Sequence, residues 1–424
     1  MSVTPAVRID AERLHRDLRG LSRIGLHEDG SVTRLAFSVT ELRARHYMIH
    51  LLQQAGLTVR VDGIGNVVGR IEAAAPDRGG PAPCVAVGSH VDSVPHGGRF
   101  DGAMGAVAAL EVARAVREAG VPLRRPLEVL IFAAEESSRF GFSTIGSSAM
   151  AGVASVERLW ALADRSGERL GDILTRFGLT REAVAAARRA PGEIGDYLEL
   201  HIEQGRVLVE EGRRLGVVRS IAAPSRLKID FQGRADHSGA TPMHLRRDAL
   251  AAAARLTVFI EDLCRAPRPT PVVGTVGVIE ARPGAMNVVP GEATLWIDLR
   301  STSLAERSAC RDAVLGEAAR LAESRRLELA TETLMEDAPV ALDPGLVRRL
   351  VEACAAAGVD PLTMDSGAGH DAMQIARIAR AGMLFVPSRE GISHNPREWS
   401  TPEDVALGAQ VLLDAALRLA TADA

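Results

Sequence analysis

The chain has 424 residues, of which 46% are hydrophobic, 25% charged and 3% aromatic, and its formal net charge at pH 7 is -4. This length is about three times that of a typical single domain, so we expect two domains. The composition is typical of a globular protein with a large core and excludes disordered and collagen-like classes. With neither a basic excess nor an aromatic platform, a nucleic-acid partner is not expected.

The apolar runs of the chain are short, and none approaches the roughly 20 consecutive apolar residues that cross a bilayer. The first residues, MSVTPAVRIDAERLHRDLRG, lack the apolar centre of a secretory signal. The four cysteines are far apart and form no C-x-x-C pair, which is typical of reduced thiols. We therefore predict a cytoplasmic protein without a membrane partner.

The first half of the chain has the pattern of an α/β domain. Residues 8–57 show helical periodicity, interrupted by the turn-rich segment GLHEDGSVT. Short apolar runs then alternate with alanine-rich amphipathic segments, which indicates a sheet covered by helices on both faces. The predicted strands lie in TVRVDGIGNVVGRI, CVAVGSHVDS, LEVLIFAAEE and YLELHIEQG, and the predicted helices cover 103–119 and segments of 155–190.

A different pattern begins near residue 222 and lasts to about 335. The runs RLKIDFQG, TVGVIEA and ATLWIDLRS alternate apolar and polar residues, and helices are predicted over 246–265 and 304–325. Strands buried on one face, with helices covering that face, predict a small α+β domain. The first pattern then returns, with helices over 345–357 and 402–421 and the strand GMLFVPS. We therefore predict a discontinuous α/β domain formed by 1–221 and 338–424, with a central mixed sheet, and an inserted α+β domain at 222–337.

Side chains that bind metals follow several predicted strands of the α/β domain. His90 follows CVAVGS, His201 follows YLEL, and His394 comes shortly after GMLFVPS. The adjacent pair Glu135 and Glu136 follows LEVLIFAA. Ligands of open α/β sheets bind at the carboxyl ends of the strands, so we expect these side chains to lie close together.

Asp101 lies in a glycine-rich turn, GGRFDGAMG, which precedes the next predicted helix. An aspartate there could bridge two divalent ions about 3.5–4 Å apart, which would generate hydroxide near neutral pH. Nitrogen and oxygen ligands suit zinc, manganese, cobalt or nickel. One of Glu135 and Glu136 could bind metal while its neighbour accepts the proton of water. Each residue alone also has a structural alternative, such as a surface histidine or a turn-forming aspartate.

Seven motifs in chain order extend this hypothesis. They are GSHVDSVPHGGRFDGAMG, FAAEESSRFG, LELHIEQG, ADHSGATPM, MNVVPGEATLWIDLRS, SGAGHDA and GISHNP. With these motifs the chain resembles the hydantoinase/carbamoylase family of amidohydrolases, which includes N-carbamoyl-L-amino acid hydrolases and allantoate amidohydrolases, within the dinuclear zinc peptidase superfamily. The similarity runs from about residue 30 to residue 405.

The resemblance implies a site with two divalent metal ions per subunit. It assigns one ion to His90, Asp101 and His201, the other to Asp101, Glu136 and His394, and the role of general acid/base to Glu135. It also implies that the inserted domain is a lid and a dimerisation surface, so that the protein is a homodimer.

Further residues are assigned by the same resemblance to a small carboxylate-bearing substrate. His237 would polarise the substrate carbonyl, and Gly369 and His370 would line the pocket. The substrate's polar end would be held by Gln204, Asn287 and Arg300. A guanidinium binds a carboxylate with two parallel hydrogen bonds, which suits Arg300 to that role. Alternatives from the sequence are a surface ion pair for Arg300, a turn cap for Asn287, and a bond from His237 to Ser238 or Thr241.

The resulting hypothesis is a metal-dependent amidohydrolase that cleaves the carbamoyl C–N bond of an N-carbamoyl-L-amino acid or of a ureido acid such as allantoate. A dipeptidase, an aminopeptidase or an N-acyl amino acid deacylase on the same metal scaffold is the first alternative. A metal-stabilised binding protein without catalysis is the second. A structural metal site requires no unligated carboxylate beside it, so Glu135 distinguishes this second alternative from an enzyme.

Overall fold

The computed structural model describes residues 7–74 and 82–422. Its contacts divide the chain into two units, one formed by the chain up to Arg219 and from Leu342 onward, the other by Ser220–Ala341. The boundaries predicted from the sequence, at 222 and 337, fall just inside the second unit. Within that unit Ile221 pairs with Val340 and Ser220 with Ala341, so its two ends are adjacent.

The first unit is built on a large mixed sheet. Its strands are β1 (Thr58–Val61), β2 (Val67–Ile71), β3 (Cys84–His90), β4 (Leu127–Phe132), β5 (Ile194–Ile202), β6 (Gly216–Ile221), β14 (Leu362–Ser366) and β15 (Arg380–Val386). The order is β1-β2-β4-β3-β5-β15-β6, and β14 also pairs with β6. The central strands β4, β3, β5 and β15 are mutually parallel. Their carboxyl ends therefore lie at one edge of the sheet.

Helices cover this sheet. They are α1 (Ala11–Ser22), α2 (Val39–Gln54), α3 (Ala103–Glu118), α4 (Ile145–Ala151), α5 (Val156–Ala161), α6 (Leu170–Arg176), α7 (Arg181–Ala186), α8 (Val207–Glu210), α11 (Pro344–Ala356), α12 (Asp371–Ile375) and α13 (Pro402–Thr421). The alanine-rich α3 packs on β3, β4 and β5. A Cβ atom on Gly105 would lie 2.1 Å from the Leu200 carbonyl oxygen, so only glycine permits this approach.

The second unit is an antiparallel sheet covered by two helices. The unit contains β7 (Ala223–Gln232), β8 (Asp236–His237), β9 (Val273–Arg282), β10 (Val288–Val289), β11 (Glu292–Ser301), β12 (Glu328–Glu336) and β13 (Val340–Ala341). Of these, β8 and β10 form a separate two-stranded sheet, and β13 pairs with β6. The four long strands follow the order β12-β7-β11-β9. Alternate residues of β7 and β11 are buried and pack with α9 (Ala249–Arg265) and α10 (Leu304–Arg325). A short 3₁₀ helix spans Met243–Leu245.

The predicted fold class is confirmed: a central mixed sheet covered by helices is accompanied by a smaller α+β unit inserted in the chain. The predicted helix over 304–325 coincides with α10, and that over 402–421 coincides with α13. Both begin at a hydroxyl cap, Ser303 and Thr401, whose side chains accept a backbone N–H of the first turn. Among the described residues, no helix is both long and apolar enough to cross a membrane.

Candidate metal centre

The ligand candidates lie at the carboxyl edge of the parallel strands. His90 is the last residue of β3, and His201 is the last but one of β5. Glu135 and Glu136 follow β4, and His394 lies in the loop after β15. Because the central strands run in the same direction, segments far apart in the chain deliver these side chains to one place.

Asp101 joins two sets of these side chains. Its Oδ1 lies 3.2 Å from His201 Nε2 and 3.7 Å from His90 Nε2. Its Oδ2 lies 3.0 Å from His394 Nε2, which is in turn 3.5 Å from Glu136 Oε1. Each set offers ligand atoms within 4.8 Å of one another. The carboxylate of Asp101 is therefore shared between two groups of three potential ligands.

The histidine rings are held so that the Nε2 atoms face Asp101. His90 Nδ1 lies 3.1 Å from the Asp92 carbonyl oxygen, and His201 Nδ1 lies 2.9 Å from the Ile202 carbonyl oxygen. A backbone carbonyl at Nδ1 favours a proton on that atom, so Nε2 is the nitrogen that would bind a metal. In His201 this Nε2 also accepts the Gly102 backbone N–H at 3.2 Å. The donor set and the ring orientations thus fit a pair of divalent ions.

A third group of possible ligands contains Glu199, His201 and His370. Glu199 accepts hydrogen bonds from the Ser89 hydroxyl, the Tyr197 hydroxyl and the Ala372 backbone N–H. Because its oxygens already accept hydrogen bonds from the protein, Glu199 is better suited to a supporting position beside His201 than to binding metal.

Glu135 belongs to none of the three groups of possible ligands, although it lies beside them. Its Oε2 is 3.7 Å from His90 Nε2, and the side chain is buried. Burial and the neighbouring Glu136 raise the pKa of Glu135 well above its ordinary value, although His90 opposes the shift. A buried carboxyl group that readily holds a proton is suited to general acid/base chemistry.

Asp92, which the sequence analysis missed, fixes the segment that carries both glutamates. Its Oδ1 accepts the backbone N–H of Glu135 at 3.1 Å, and its Oδ2 accepts that of Glu136 at 3.0 Å. Asp92 lies two residues after His90, a spacing that could have drawn attention to it. It orients a metal ligand and the candidate base together.

Glu398 was also missed, and it supports Asp101 in the same way. Its Oε1 accepts the backbone N–H groups of Phe100 at 2.8 Å and Asp101 at 3.1 Å. Ser393 donates to Glu398 Oε2 at 2.9 Å and to Asp101 Oδ2 at 3.2 Å. Glu398 lies four residues after His394, and nothing in the sequence indicates that it contacts the segment before α3.

Gln204 lies within this centre. Its Nε2 donates to Asp101 Oδ2 at 2.8 Å, while its buried Oε1 has no hydrogen-bond partner among the described residues. An unpaired buried amide oxygen costs free energy unless a ligand donates to it. Gln204 is therefore placed to accept an N–H from a bound molecule.

His370 and Gly369 lie in the loop before α12. His370 is buried, its Nε2 is 2.9 Å from the Ser366 hydroxyl, and its ring centroid is 4.6 Å from that of His201. Burial and the nearby His201 lower its pKa well below the ordinary value. His370 is thus a neutral ring packed against a candidate ligand, and Gly369 beside it is partly exposed.

His237 and Asn287 lie together in the second unit, and both are exposed. His237 Nδ1 accepts the backbone N–H groups of Gly239 and Ala240, each at 3.1 Å. The predicted alternative with Thr241 is present only through the backbone, where the His237 carbonyl accepts the Thr241 N–H at 3.1 Å. The bonds to Nδ1 place the ring proton on Nε2, where it can be donated to a carbonyl oxygen. The Asn287 carbonyl accepts the Ser238 N–H at 3.0 Å.

Arg300 lies on β11 of the second unit and forms an ion pair. Its Nε is 2.9 Å from Asp298 Oδ1 and its Nη2 is 3.2 Å from Asp298 Oδ2. Arg226 also binds Asp298, at 2.9 Å. The ion pair that the sequence left open as an alternative is therefore present in the structure.

Comparison with known proteins identifies the family. A family model described as peptidase family M20/M25/M40 matches residues 86–418. The N-carbamoyl-L-amino acid amidohydrolase of Geobacillus stearothermophilus is 42% identical over 412 residues, covering 97% of this chain and 99% of that protein. The ureidoglycolate hydrolase of Arabidopsis thaliana is 34% identical, covering 97% of this chain and 87% of that protein.

A solved structure agrees with these relatives. The crystal structure of an amidase of the hydantoinase/carbamoylase family from Burkholderia multivorans has a TM-score of 0.90 and 36% sequence identity, covering 99% of this chain and 100% of that one. The resemblance predicted from the seven motifs is confirmed. The chain belongs to peptidase family M20/M25/M40 and is a hydrolase whose relatives include amidohydrolases of the hydantoinase/carbamoylase type.

Proposed function

We propose that the protein hydrolyses the carbamoyl C–N bond of an N-carbamoyl-L-amino acid or of a related ureido acid such as allantoate. The observation that carries the proposal is the buried Glu135, which stands beside two groups of metal ligands without belonging to either. The names of the relatives, an N-carbamoyl-L-amino acid amidohydrolase and a ureidoglycolate hydrolase, support the choice of substrate class.

In this proposal one ion is held by His90, Asp101 and His201, and the other by Asp101, Glu136 and His394. Zinc, manganese, cobalt and nickel all accept these ligands. When bound, such ions supply positive charge that lowers the pKa of water and polarises a carbonyl oxygen.

Glu135 carries the proton through the reaction. It accepts a proton from the water that attacks the carbamoyl carbon and returns it to the nitrogen that leaves when the C–N bond breaks. Its environment favours this cycle, because burial makes the protonated form easily accessible while His90 stabilises the ionised form. From a carbamoyl amino acid the products are ammonia, carbon dioxide and the free amino acid.

Several residues are proposed to hold the substrate. Gln204 Oε1, which has no hydrogen-bond partner within the described ranges, would accept an N–H of the carbamoyl group. His237, with its ring proton on Nε2, would donate to the substrate carbonyl. The remaining contacts are proposed for Asn287 and Arg300 with the substrate's polar end and for Gly369 and His370 in the pocket.

We further propose that the protein is a cytoplasmic homodimer in which the inserted unit is a lid and the dimerisation surface. The edge strand β9 supports this assembly, because Val273, Val278 and Ile279 are exposed on it. An exposed apolar edge strand favours pairing with another chain. Light scattering should give twice the mass of the chain, and a fully active monomer would contradict the proposal.

The substrate class is tested with the manganese- or cobalt-loaded protein and a panel of compounds. Ammonia release is measured with N-carbamoyl-L-amino acids, N-carbamoyl-β-alanine and allantoate, and free amine is measured with dipeptides and N-acetyl amino acids. We expect metal-dependent turnover of a carbamoyl or ureido compound. Turnover of dipeptides or acyl amino acids alone would overturn the carbamoyl assignment.

A further inference from the structure

A cavity of about 270 Å³ lies in the first unit between α1, the segment before Asp101 and the start of α13. Its floor is apolar, with Leu18, Phe100 and Trp399 among the lining residues. The rings of Phe100 and Trp399 meet edge to face, with centroids 5.3 Å apart. This volume is close to the lower limit of about 300 Å³ for small-molecule sites, so it suits a compound with one ring or a short hydrocarbon chain.

Three arginines are among the residues that line this cavity. They are Arg19, Arg23 and Arg99. Within the described residues, the side chains of Arg19 and Arg23 have no hydrogen-bond or ion-pair partner, and Arg99 reaches only the Gly30 carbonyl, at 3.4 Å. Arg19 and Arg23 are exposed, so their side chains are available to a ligand in the cavity, and none of the three arginines is paired with a carboxylate of the described residues.

The lining of the cavity, so far as the described ranges show it, contains no carboxylate. Glu403 lies near His15 at the margin but is not part of the lining. Positive charge around an apolar floor attracts an anion and repels a cation. Guanidinium also forms paired hydrogen bonds with a carboxylate, which adds preference for that group.

We propose that this cavity binds a small apolar carboxylate that carries no ammonium group. The apolar body would lie on Leu18, Phe100 and Trp399, and the carboxylate would be held by Arg19 and Arg23. A free amino acid is disfavoured, because its ammonium group would lie among three positive charges. Carboxylates whose nitrogen is acylated or carbamoylated and carboxylates without nitrogen both satisfy the chemistry.

The cavity is separate from the candidate metal centre but adjoins it through the chain. Phe100 immediately precedes Asp101, and Trp399 immediately follows Glu398, whose Oε1 accepts the N–H groups of Phe100 and Asp101. A ligand on these two rings therefore contacts residues that are bonded to the support of Asp101. A bound carboxylate could therefore alter turnover by shifting Phe100 or Trp399 and, through them, the position of Asp101.

Calorimetry with 3-phenylpropionate and the metal-loaded full-length protein tests the proposal. We expect binding in the millimolar range or tighter. The neutral isostere 3-phenylpropanamide and the amino acid phenylalanine should each bind about tenfold or more weakly, since one lacks the charge and the other adds an ammonium. N-carbamoylphenylalanine, measured with the metal-loaded Glu135→Gln variant so that it is not hydrolysed, identifies the source: binding as tight as that of 3-phenylpropionate, and weakened equally by R19Q/R23Q, would extend the class to carbamoylated amino acids.

Two variants locate the site. R19Q/R23Q should weaken 3-phenylpropionate about tenfold or more, and L26W, which narrows the mouth of the cavity, should weaken it in a protein that keeps both arginines. R348Q/R349Q removes two exposed arginines of α11 and is the matched control, with unchanged affinity. Circular dichroism establishes that each variant is folded.

Three results would overturn the proposal. They are no binding to the wild-type protein, equal affinity in wild type and R19Q/R23Q, which would place the ligand elsewhere, and phenylalanine binding as tightly as 3-phenylpropionate. A change in turnover caused by 3-phenylpropionate in wild type but not in R19Q/R23Q would support the route to Asp101. Binding at this cavity that leaves turnover unchanged would overturn that route.

Discussion

At the scale of single residues, the two oxygens of Asp101 have different neighbours, and this difference creates two ligand sets from one carboxylate. Oδ1 faces His90 and His201, whereas Oδ2 faces His394 and Gln204. The backbone N–H of Asp101 donates to Glu398 Oε1, which holds the aspartate in this position. Glu135, a carboxylate outside both ligand sets, is the feature that distinguishes a catalytic centre from a purely structural one.

The Glu135→Gln variant tests whether Glu135 is the general acid/base. The amide cannot accept and return a proton, so we expect turnover to fall by about 10²–10⁴-fold. Metal content, measured by mass spectrometry of the purified protein, should stay at the wild-type value. Glu352→Gln, a change of an exposed glutamate on α11, is the control and should leave both quantities unchanged. Retained turnover in a fully metallated Glu135→Gln variant would contradict the assigned role.

Metal binding should depend on pH because its ligands hold protons in the metal-free protein. The hydrogen bond with Asp101 raises the pKa of His394 to about 9, and burial raises the pKa of Glu136 to about 7. Burial lowers the pKa of His90, but the opposing effect of Glu135 and Asp92 is larger, so the pKa lies well above its ordinary value. Binding a metal removes these protons.

The sign of the dependence follows from this release. Apparent metal affinity should rise with pH and level off above about 9, where His394 is neutral without the metal. Calorimetry in two buffers of different ionisation enthalpy should detect release of about one proton or more per subunit near neutral pH. The His394→Asn variant should release fewer protons than the wild type when it binds metal. A metal affinity that stays constant as the pH rises towards about 9 would refute the link between metal binding and proton release.

At the scale of secondary-structure elements, the start of α3 is built around a ligand. Gly102 caps the helix with φ +61°, a backbone conformation that disfavours other residues. A Cβ atom there would lie 2.3 Å from His90 Cε1. The glycine therefore lets the helix start pass directly beside the ring of a metal-ligand candidate.

Gly102→Ala and Gly120→Ala form a matched pair at the two ends of α3. Gly120 has φ +60°, but a Cβ atom added there would meet nothing within 4 Å among the described residues. Gly120→Ala should lower the free energy of unfolding by about 1–2 kcal/mol, through backbone strain alone. Gly102→Ala should lower it further and weaken metal binding about tenfold or more, because His90 must move. Urea denaturation and metal titration measure the two effects. Equal metal affinity in the two variants would refute the account.

At the scale of the whole molecule, the second unit has its own core and adjacent ends. The buried faces of β7 and β11 pack with α9 and α10, and Ile229 and Leu295 are fully buried there. The pairing of Ile221 with Val340 brings the ends of the unit together. A compact segment with its own hydrophobic core can fold alone.

The segment 220–341 should therefore fold by itself. We expect cooperative urea denaturation of the isolated segment, followed by circular dichroism. Within it, Ile229→Ala should cost about 2–5 kcal/mol, since it leaves a cavity in the core. Glu332→Ala, an exposed change on β12, should stay within about 0.5 kcal/mol. A segment that lacks a cooperative transition would contradict this independence.

The sequence by itself determined the fold class, the family and many of the elements, although it did not predict β6, β12 or β14. Alternation over β7 and β11 predicted strands buried on one face, because side chains of a strand point to opposite faces in turn. Four of the five metal-ligand candidates could be named because parallel strands deliver their ends to one edge, and Asp101 could be named because it lies in a glycine-rich turn before a helix. These signals are local, or repeat at a fixed spacing, so they can be read along a single chain.

Only the tertiary structure decided which distant groups support the site. Glu398 reaches the backbone of Asp101, and Glu199 accepts the N–H of Ala372, across separations that no periodicity encodes. Arg300 is engaged by Asp298, two residues earlier on the same strand, a choice that depends on the rotamers of both side chains. The cavity lined by Arg19, Arg23 and Arg99 likewise forms only when α1 packs against the segment before Asp101 and the start of α13. Such contacts depend on packing in three dimensions, which residue spacing does not specify.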